Sequence, residues 1–300
     1  MIEIREFTKK FGTYCALDHI SLKVEPGVIV GLVGSNGAGK STLLRSIVGV
    51  YEGDGGILTV DGESPYENPS VKEKIFFLSD YPYFQSGQTL QDLAAFYARF
   101  YRRWSKEKFE YLSRIFPVGK KQRLSEMSKG MQRQCALICA VSCCPDYLIM
   151  DEIFDGLDPV MRQLLKRIVS GEVAERNMSV VIASHNLREL EDFCDYIGML
   201  HRGGIVLEKD LDSIKLGIHK IQAAFRPMPE IEQLKQQLDI VTWEAKGSLL
   251  NLVVRGEERE INRVFESLHP IFFETLPLSL EEVFINEMEA AGYDLENILK

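Results

Sequence analysis

The stretch Val28-Ile29-Val30-Gly31-Leu32-Val33-Gly34-Ser35-Asn36-Gly37-Ala38-Gly39-Lys40-Ser41-Thr42 decides the fold, and Leu43-Leu44-Arg45-Ser46-Ile47-Val48 follows it. Read in order, it is a buried strand, a glycine loop and a helix, the context that a phosphate-binding loop requires. Glycines allow the backbone to turn without a Cβ, so successive N–H groups point into one concavity. The helix adds its positive N-terminal end to that concavity. The pattern predicts that residues Gly34, Ser35, Asn36, Gly37, Ala38, Gly39, Lys40, Ser41 and Thr42 hold the phosphates of a nucleoside triphosphate. Lys40 reaches the β- and γ-phosphates, and the Ser41 hydroxyl binds Mg2+.

Composition sets the frame around this motif. Three hundred residues, 45% hydrophobic and 26% charged, suit one large domain with a smaller one. A net charge of −9 argues against a nucleic-acid surface over the whole chain. The basic run Lys120, Lys121 and Arg123 reads as a solvated loop. No apolar stretch approaches the roughly 20 residues that a membrane helix needs. The first residues alternate like a strand and carry acids, unlike a signal peptide. The expected location is therefore cytoplasmic, with any membrane work done through a partner. Cys135, Cys139 and Cys143 recur every four residues in an Ala/Leu/Ile/Val helix, which predicts small buried thiols rather than a metal cluster.

Strand and helix patterns alternate through Leu211, indicating an α/β domain with a mainly parallel sheet covered on both sides. Helical segments with eight aromatic residues interrupt this alternation from Ser86 to Glu126. Thr89 and Ser105 read as N-caps, and Thr89 with Asp92 as a capping box. Beyond 212 the order β-α-β-β-α-β predicts a small α+β module of ferredoxin-like or related type. Ser279 opens a last helix with an acid three residues on.

Two further motifs stand downstream of the glycine loop. Tyr147-Leu148-Ile149-Met150-Asp151-Glu152 is an apolar strand ending in two carboxylates. Asp151 is placed to share Mg2+ with Ser41, and Glu152 to polarise the attacking water. Met127-Ser128-Lys129-Gly130-Met131-Gln132 precedes the cysteine-bearing helix. With that segment the chain resembles the ATP-binding cassette family, the nucleotide-hydrolysing subunits of ABC transporters, whose Leu-Ser-Gly-Gly-Gln signature stands here as Met-Ser-Lys-Gly-Met.

The resemblance covers nearly all of residues 1–211. It implies a P-loop NTPase of the ABC ATPase type, residues 1–211, with an inserted α-helical subdomain at about 86–145 and an accessory or regulatory module at 212–300. It also implies that Phe11 stacks on adenine and that Ser128, Lys129 and Gly130 of one copy meet the γ-phosphate held by another. Asp158, in Gly156-Leu157-Asp158-Pro159, then crosses a dimer interface, and His185 orients Glu152 and the water. Lys40, Glu152, His185 and Asp158 are the expected catalytic set. One position departs from the family: Asp80 stands where Gln, sometimes Glu, touches the metal, so the expected Mg2+ ligands are Ser41, Asp151 and Asp80.

The implied cofactors are ATP and Mg2+. The implied partners are a second ABC ATPase subunit, identical or homologous, and an integral membrane permease, with no nucleic acid. That places the chain on the cytoplasmic face of the membrane. The tail Ser279-Leu280-Glu281-Glu282-Val283-Phe284 resembles an ending common in bacterial exporter ATPases. The alternative is a soluble ABC-type nucleotide switch uncoupled from transport.

Overall fold

The computed structural model describes residues 1–211, 217–276, 278–283 and 285. They divide into two compact units, Met1–Glu208 and Lys209–Lys300.

The first unit opens with strands β1 (Ile2–Phe11), β2 (Tyr14–Val24) and β3 (Ile29–Val33). Only Gly12 and Thr13 join β1 to β2, and so short a link permits nothing but an antiparallel hairpin. Strand β4 (Gly55–Val60) pairs with the other side of β1, closing a three-stranded antiparallel sheet in the order β2-β1-β4. The expectation of one mainly parallel sheet is corrected here: these strands form a sheet of their own.

The second sheet carries the chemistry. After β4 come β5 (Ile75–Leu78), β6 (Tyr147–Asp151), β7 (Ser179–Ser184), β8 (Tyr196–His201) and β9 (Gly204–Asp210), and the sheet order is β5-β6-β7-β3-β8-β9. The pairs from β5 through β8 are parallel. Every residue of β3, β6 and β7 is buried, as expected of strands covered on both faces. Because these strands are neighbours and point the same way, the loops leaving their C-terminal ends lie side by side. Those loops begin at Gly34, Glu152 and His185, and the loop after β5 brings Ser79 and Asp80 to the same edge.

Seven α-helices are described in this unit: α1 (Lys40–Ile47), α2 (Pro69–Lys72), α3 (Leu90–Phe100), α4 (Lys106–Ile115), α5 (Lys129–Ser142), α6 (Pro159–Arg176) and α7 (Leu187–Glu191). Thr89 and Asp92 form the reciprocal capping box, and Ser105 caps α4. Helices α3, α4 and α5 make the inserted lobe. Phe109 and Phe116 fill its core, while Phe96, Phe100 and Tyr111 stay exposed. Cys135, Cys139 and Cys143 are buried along α5, and burial pushes the Cys135 thiol up to about 12. Lys120 pairs with Glu110 and lies over the Phe109 ring, so it braces the lobe rather than facing a ligand.

In the second unit, β10 (Ile218–Ala224), α8 (Ile231–Lys235), β11 (Asp239–Lys246), β12 (Leu249–Arg255), α9 (Glu258–Ser267) and β13 (Phe272–Leu276) follow in that order. The sheet runs β11-β12-β10-β13 with every pair antiparallel, the ferredoxin-like arrangement. Alternation along β12 sends Leu250, Leu252 and Val254 into one core with Leu234 of α8 and with Ile261 and Phe265 of α9. Beyond β13, the Ser279 hydroxyl accepts from the Glu282 N–H at 3.2 Å and Glu282 accepts from the Ser279 N–H at 3.0 Å. Glu282 also pairs with Lys220 at 2.6 Å. Phe284 lies outside the described residues.

Phe265 is fully buried and stacks on Phe273, with ring centroids 5.8 Å apart. Phe265→Ala is expected to destabilise the second unit by about 3–5 kcal/mol. Urea unfolding followed through Trp243, in a Trp104→Phe background, measures it.

Candidate active site

The glycine loop after β3 is glycine for steric reasons. A Cβ on Gly34 would stand 2.3 Å from the Leu200 carbonyl oxygen, and one on Gly39 would stand 2.7 Å from that of Ala16. Gly37 and Gly39 also have φ of +81° and +109°, a region that side chains avoid. The loop delivers Lys40 at the first turn of α1. Its ammonium donates to the carbonyls of Gly34 at 2.6 Å and Ser35 at 3.3 Å, and stands 3.9 Å from the Glu152 carboxylate. Burial lowers the Lys40 pKa, and Glu152 and Asp151 oppose that shift. A cavity of about 390 Å³ lies over this loop, lined by Tyr14, residues 36–42, Asp80 and Glu152 among others.

Asp151 closes β6 and is 1% exposed, yet neither carboxylate oxygen has a hydrogen-bond partner. Burial raises its pKa; Asp80 and Glu152 add to the rise, and the neighbouring Ser41 hydroxyl opposes it. A buried carboxylate with two free oxygens beside a hydroxyl and a second carboxylate is a donor set for a hard divalent cation. Ser41, Asp151 and Asp80 are thus gathered in one place.

Glu152 occupies the left-handed backbone region at φ +47°, which is strained for a side chain of its size. The turn sends its carboxylate across to the loop after β7. There Oε2 accepts from the His185 backbone N–H at 3.3 Å and meets His185 Nδ1 at 2.9 Å. Asp155 joins them, the ligand atoms of all three lying within 4.8 Å of one another.

The Met127–Gln132 motif sits apart from the glycine loop. Ser128 caps α5, its hydroxyl accepting from the Met131 N–H at 3.2 Å. A Cβ on Gly130 would lie 2.8 Å from the Gly156 carbonyl oxygen, so this turn packs directly on the segment after β6. Lys129 lines a second cavity of about 360 Å³ with Tyr81, Arg133, Asp155 and others. The two cavities meet at Asp80 and Glu152. Asp158 spends its carboxylate on the α6 N-terminus, accepting from the N–H groups of Val160 and Met161 at 3.0 Å each.

Phe11 is 44% exposed and meets Tyr51 edge-on at 5.1 Å. The ring that lines the glycine-loop cavity is Tyr14, from the next strand of the hairpin, its hydroxyl 3.5 Å from the Gly37 carbonyl oxygen. Sequence reasoning passed over Tyr14, although its place opposite Phe11 in the hairpin was a usable signal. It also missed Tyr81, Arg133 and Asp155, which carry no local pattern.

Comparison with known proteins agrees with this geometry. The family model described as "ABC transporter" matches residues 17–155. The ABC transporter ATP-binding protein YtrB of Bacillus subtilis (strain 168) is 30% identical over 285 residues, 95% of this chain and 97% of that protein. The bacitracin transport ATP-binding protein BcrA of Bacillus licheniformis is 28% identical over 218 residues, 72% of this chain and 71% of that one. A solved structure of an ATP-binding subunit of an ABC transporter superposes with a TM-score of 0.66 at 26% identity, covering 72% of this chain and 92% of that chain. With a phosphate loop, a paired-carboxylate strand and a relative matched along almost its whole length, the chain belongs to the ATP-binding cassette family, as the ATP-binding and ATP-hydrolysing subunit of an ABC transporter.

Proposed function

We propose that the chain closes head to tail with a second copy, or a homologous cassette, around two ATP molecules, each bound with Mg2+, and that the cycle drives export through a separate membrane permease. One observation carries this reading. Ser128, Lys129 and Gly130 form a helix N-terminus with phosphate-binding character, yet they do not line the glycine-loop cavity of their own chain. A γ-phosphate in that cavity meets such a motif when another cassette supplies it.

In this reading Phe11 stacks on the adenine, with Tyr14 at the cavity edge, and the N–H groups of residues 34–42 cradle the phosphates. Lys40 exchanges its two carbonyl partners for the β- and γ-phosphates. Ser41, Asp151 and Asp80 hold Mg2+, which when bound neutralises charge on the phosphates. Glu152 orients the attacking water and takes up its proton, while His185 fixes the carboxylate at 2.9 Å. Asp158 keeps α6 and the 156–158 turn in shape at the interface between the two copies.

Among the described residues no helix is long and apolar enough to cross a membrane. On this reading the permease is a separate protein, and the subunit works at the cytoplasmic membrane face. The exposed Phe96, Phe100 and Tyr111 of the inserted lobe suit that docking. Export is favoured by the resemblance of the Ser279–Phe284 segment to an ending common in exporter ATPases. A net charge of −9 gives nucleic acid no general attraction to the chain.

Glu152→Gln is expected to lower steady-state hydrolysis at least about 100-fold while ATP still binds, trapping a dimer that gel filtration detects. Turnover at the parent rate removes Glu152 from its role. Asp80→Ala is expected to raise the Mg2+ concentration for half-maximal turnover several-fold and to lower kcat. An unchanged Mg2+ titration at unchanged kcat takes Asp80 out of the ligand set.

A further inference from the structure

A hydrogen-bonded chain, buried at its Ser184–Glu189 end, joins the turn at 156–158 to the loop that holds His185. Glu189, on α7, is 7% exposed and is clamped from both sides. One carboxylate oxygen accepts from the Ser184 hydroxyl at 3.1 Å, and the other lies 3.1 Å from Nη1 of Arg162. The same guanidinium donates through Nε to the Leu157 carbonyl at 3.1 Å. Ser184 is itself 1% exposed, and its hydroxyl also accepts from the Asn186 N–H at 3.0 Å. Ser184, before His185, is therefore fixed directly to the carboxylate and Asn186, after it, through the Ser184 hydroxyl; one guanidinium fixes that carboxylate to the carbonyl between Gly156 and Asp158.

We infer that Arg162 and Glu189 are positioning residues for hydrolysis: they transmit the placement of the 156–158 turn to His185, and through His185 to Glu152. This rests on the proposed reading of Glu152 and His185 as the groups that organise the attacking water. Neither Arg162 nor Glu189 lines the glycine-loop cavity, so both act through the backbone they hold. The chemistry suits a rigid link. A guanidinium presents its donors in a fixed plane, so Leu157 and Glu189 cannot shift independently while both are bound. Burial of Ser184 and Glu189 strengthens their bond and makes an unpartnered Glu189 carboxylate costly, which favours two discrete arrangements over a graded one. The 156–158 turn also touches Gly130, where a Cβ would stand 2.8 Å from the Gly156 carbonyl oxygen. A change in the turn that carries the signature motif thus reaches His185 through this hydrogen-bonded chain.

A merely structural brace predicts lost stability and nothing specific to the chemical step. The test compares Arg162→Ala and Glu189→Gln with the parent, the second keeping the shape of the side chain and removing its charge. Measurements are kcat, ATP affinity by equilibrium binding, and thermal melting to establish the folded fraction. Per folded molecule, Arg162→Ala is expected to lower kcat at least tenfold and Glu189→Gln at least threefold, with ATP affinity within twofold of the parent. In a His185→Ala background, read by single-turnover hydrolysis, adding Arg162→Ala is expected to cost less than twofold more, because the link then has nothing to position. Smaller losses of kcat, losses that track ATP affinity, or a full loss added on top of His185→Ala each overturn the inference. If Arg162→Ala does not fold, Glu189→Gln carries the same comparison. Glu152→Gln separates the two readings. A dead Glu152→Gln beside parent-like Arg162→Ala and Glu189→Gln sinks only the link, whereas an active Glu152→Gln sinks the reading beneath it.

Discussion

A carboxylate buried without a hydrogen-bond partner is among the costlier arrangements a protein can hold, and Asp151 is one. A cation held there when the site works would compensate the cost, and the surroundings are consistent with that. Asp80, Glu152 and the Ser41 hydroxyl all act on its titration. Their convergence depends on strand order. With β6, β7 and β3 adjacent and parallel, the ends of three strands deliver a carboxylate pair, a histidine and a phosphate loop to one edge. The ammonium of Lys40 is held beside these acids by carbonyls of its own loop, so the edge is electrostatically poised before any ligand arrives.

Backbone constraint does the rest of the positioning. Glu152 reaches His185 because its own φ is +47°, which turns the chain sharply at the end of β6. Gly130 lets α5 lie against Gly156 where any side chain would collide with a carbonyl. The inserted lobe and the catalytic sheet therefore meet at backbone distance, and the cavity beside that contact shares Asp80 and Glu152 with the glycine-loop cavity. Arg133 adds a bond from α5 to the Asp80 carbonyl at 3.1 Å, and Lys129 stands 5.2 Å from the Tyr81 ring centroid. The residue that departs from the family pattern, Asp80, is thus tied to the helix that carries the signature.

Local chemistry made much of this legible in the sequence. The phosphate loop, the N-caps at Thr89 and Ser105 and the strand ending in Asp151 and Glu152 are all short-range patterns, and each specifies its geometry without distant help. The ferredoxin-like order of the second unit followed from periodicity in the same way. The separate antiparallel sheet did not, because alternation marks a strand but not its sheet, and the two-residue link at Gly12-Thr13 was the only hint. Tyr14 was passed over because Phe11 and Tyr14 are both aromatic and only the folded hairpin shows that the Tyr14 ring lines the glycine-loop cavity. The Arg162–Glu189–Ser184 chain was invisible: its members stand on three elements, and nothing in the order of residues marks charges that meet through folding.

The same division between local and distant effects bears on why the signature motif does not line the glycine-loop cavity of its own chain. A helix N-terminus concentrates roughly half a positive charge, and that charge acts only over the first turn. Placed beside its own glycine loop, it would bind phosphate in a single chain and leave association of two cassettes indifferent to nucleotide. In the proposed pair of cassettes it meets the other chain's phosphate instead, and each chain's affinity for the nucleotide and for its neighbour becomes one linked quantity. On the proposed reading, ATP then favours the closed pair by whatever it gains from the second motif, and that gain disappears when the γ-phosphate is cleaved. On the same reading the Gly130–Gly156 contact makes this coupling local at both ends, because the motif proposed to meet the neighbour's phosphate rests on the turn whose Leu157 carbonyl Arg162 holds.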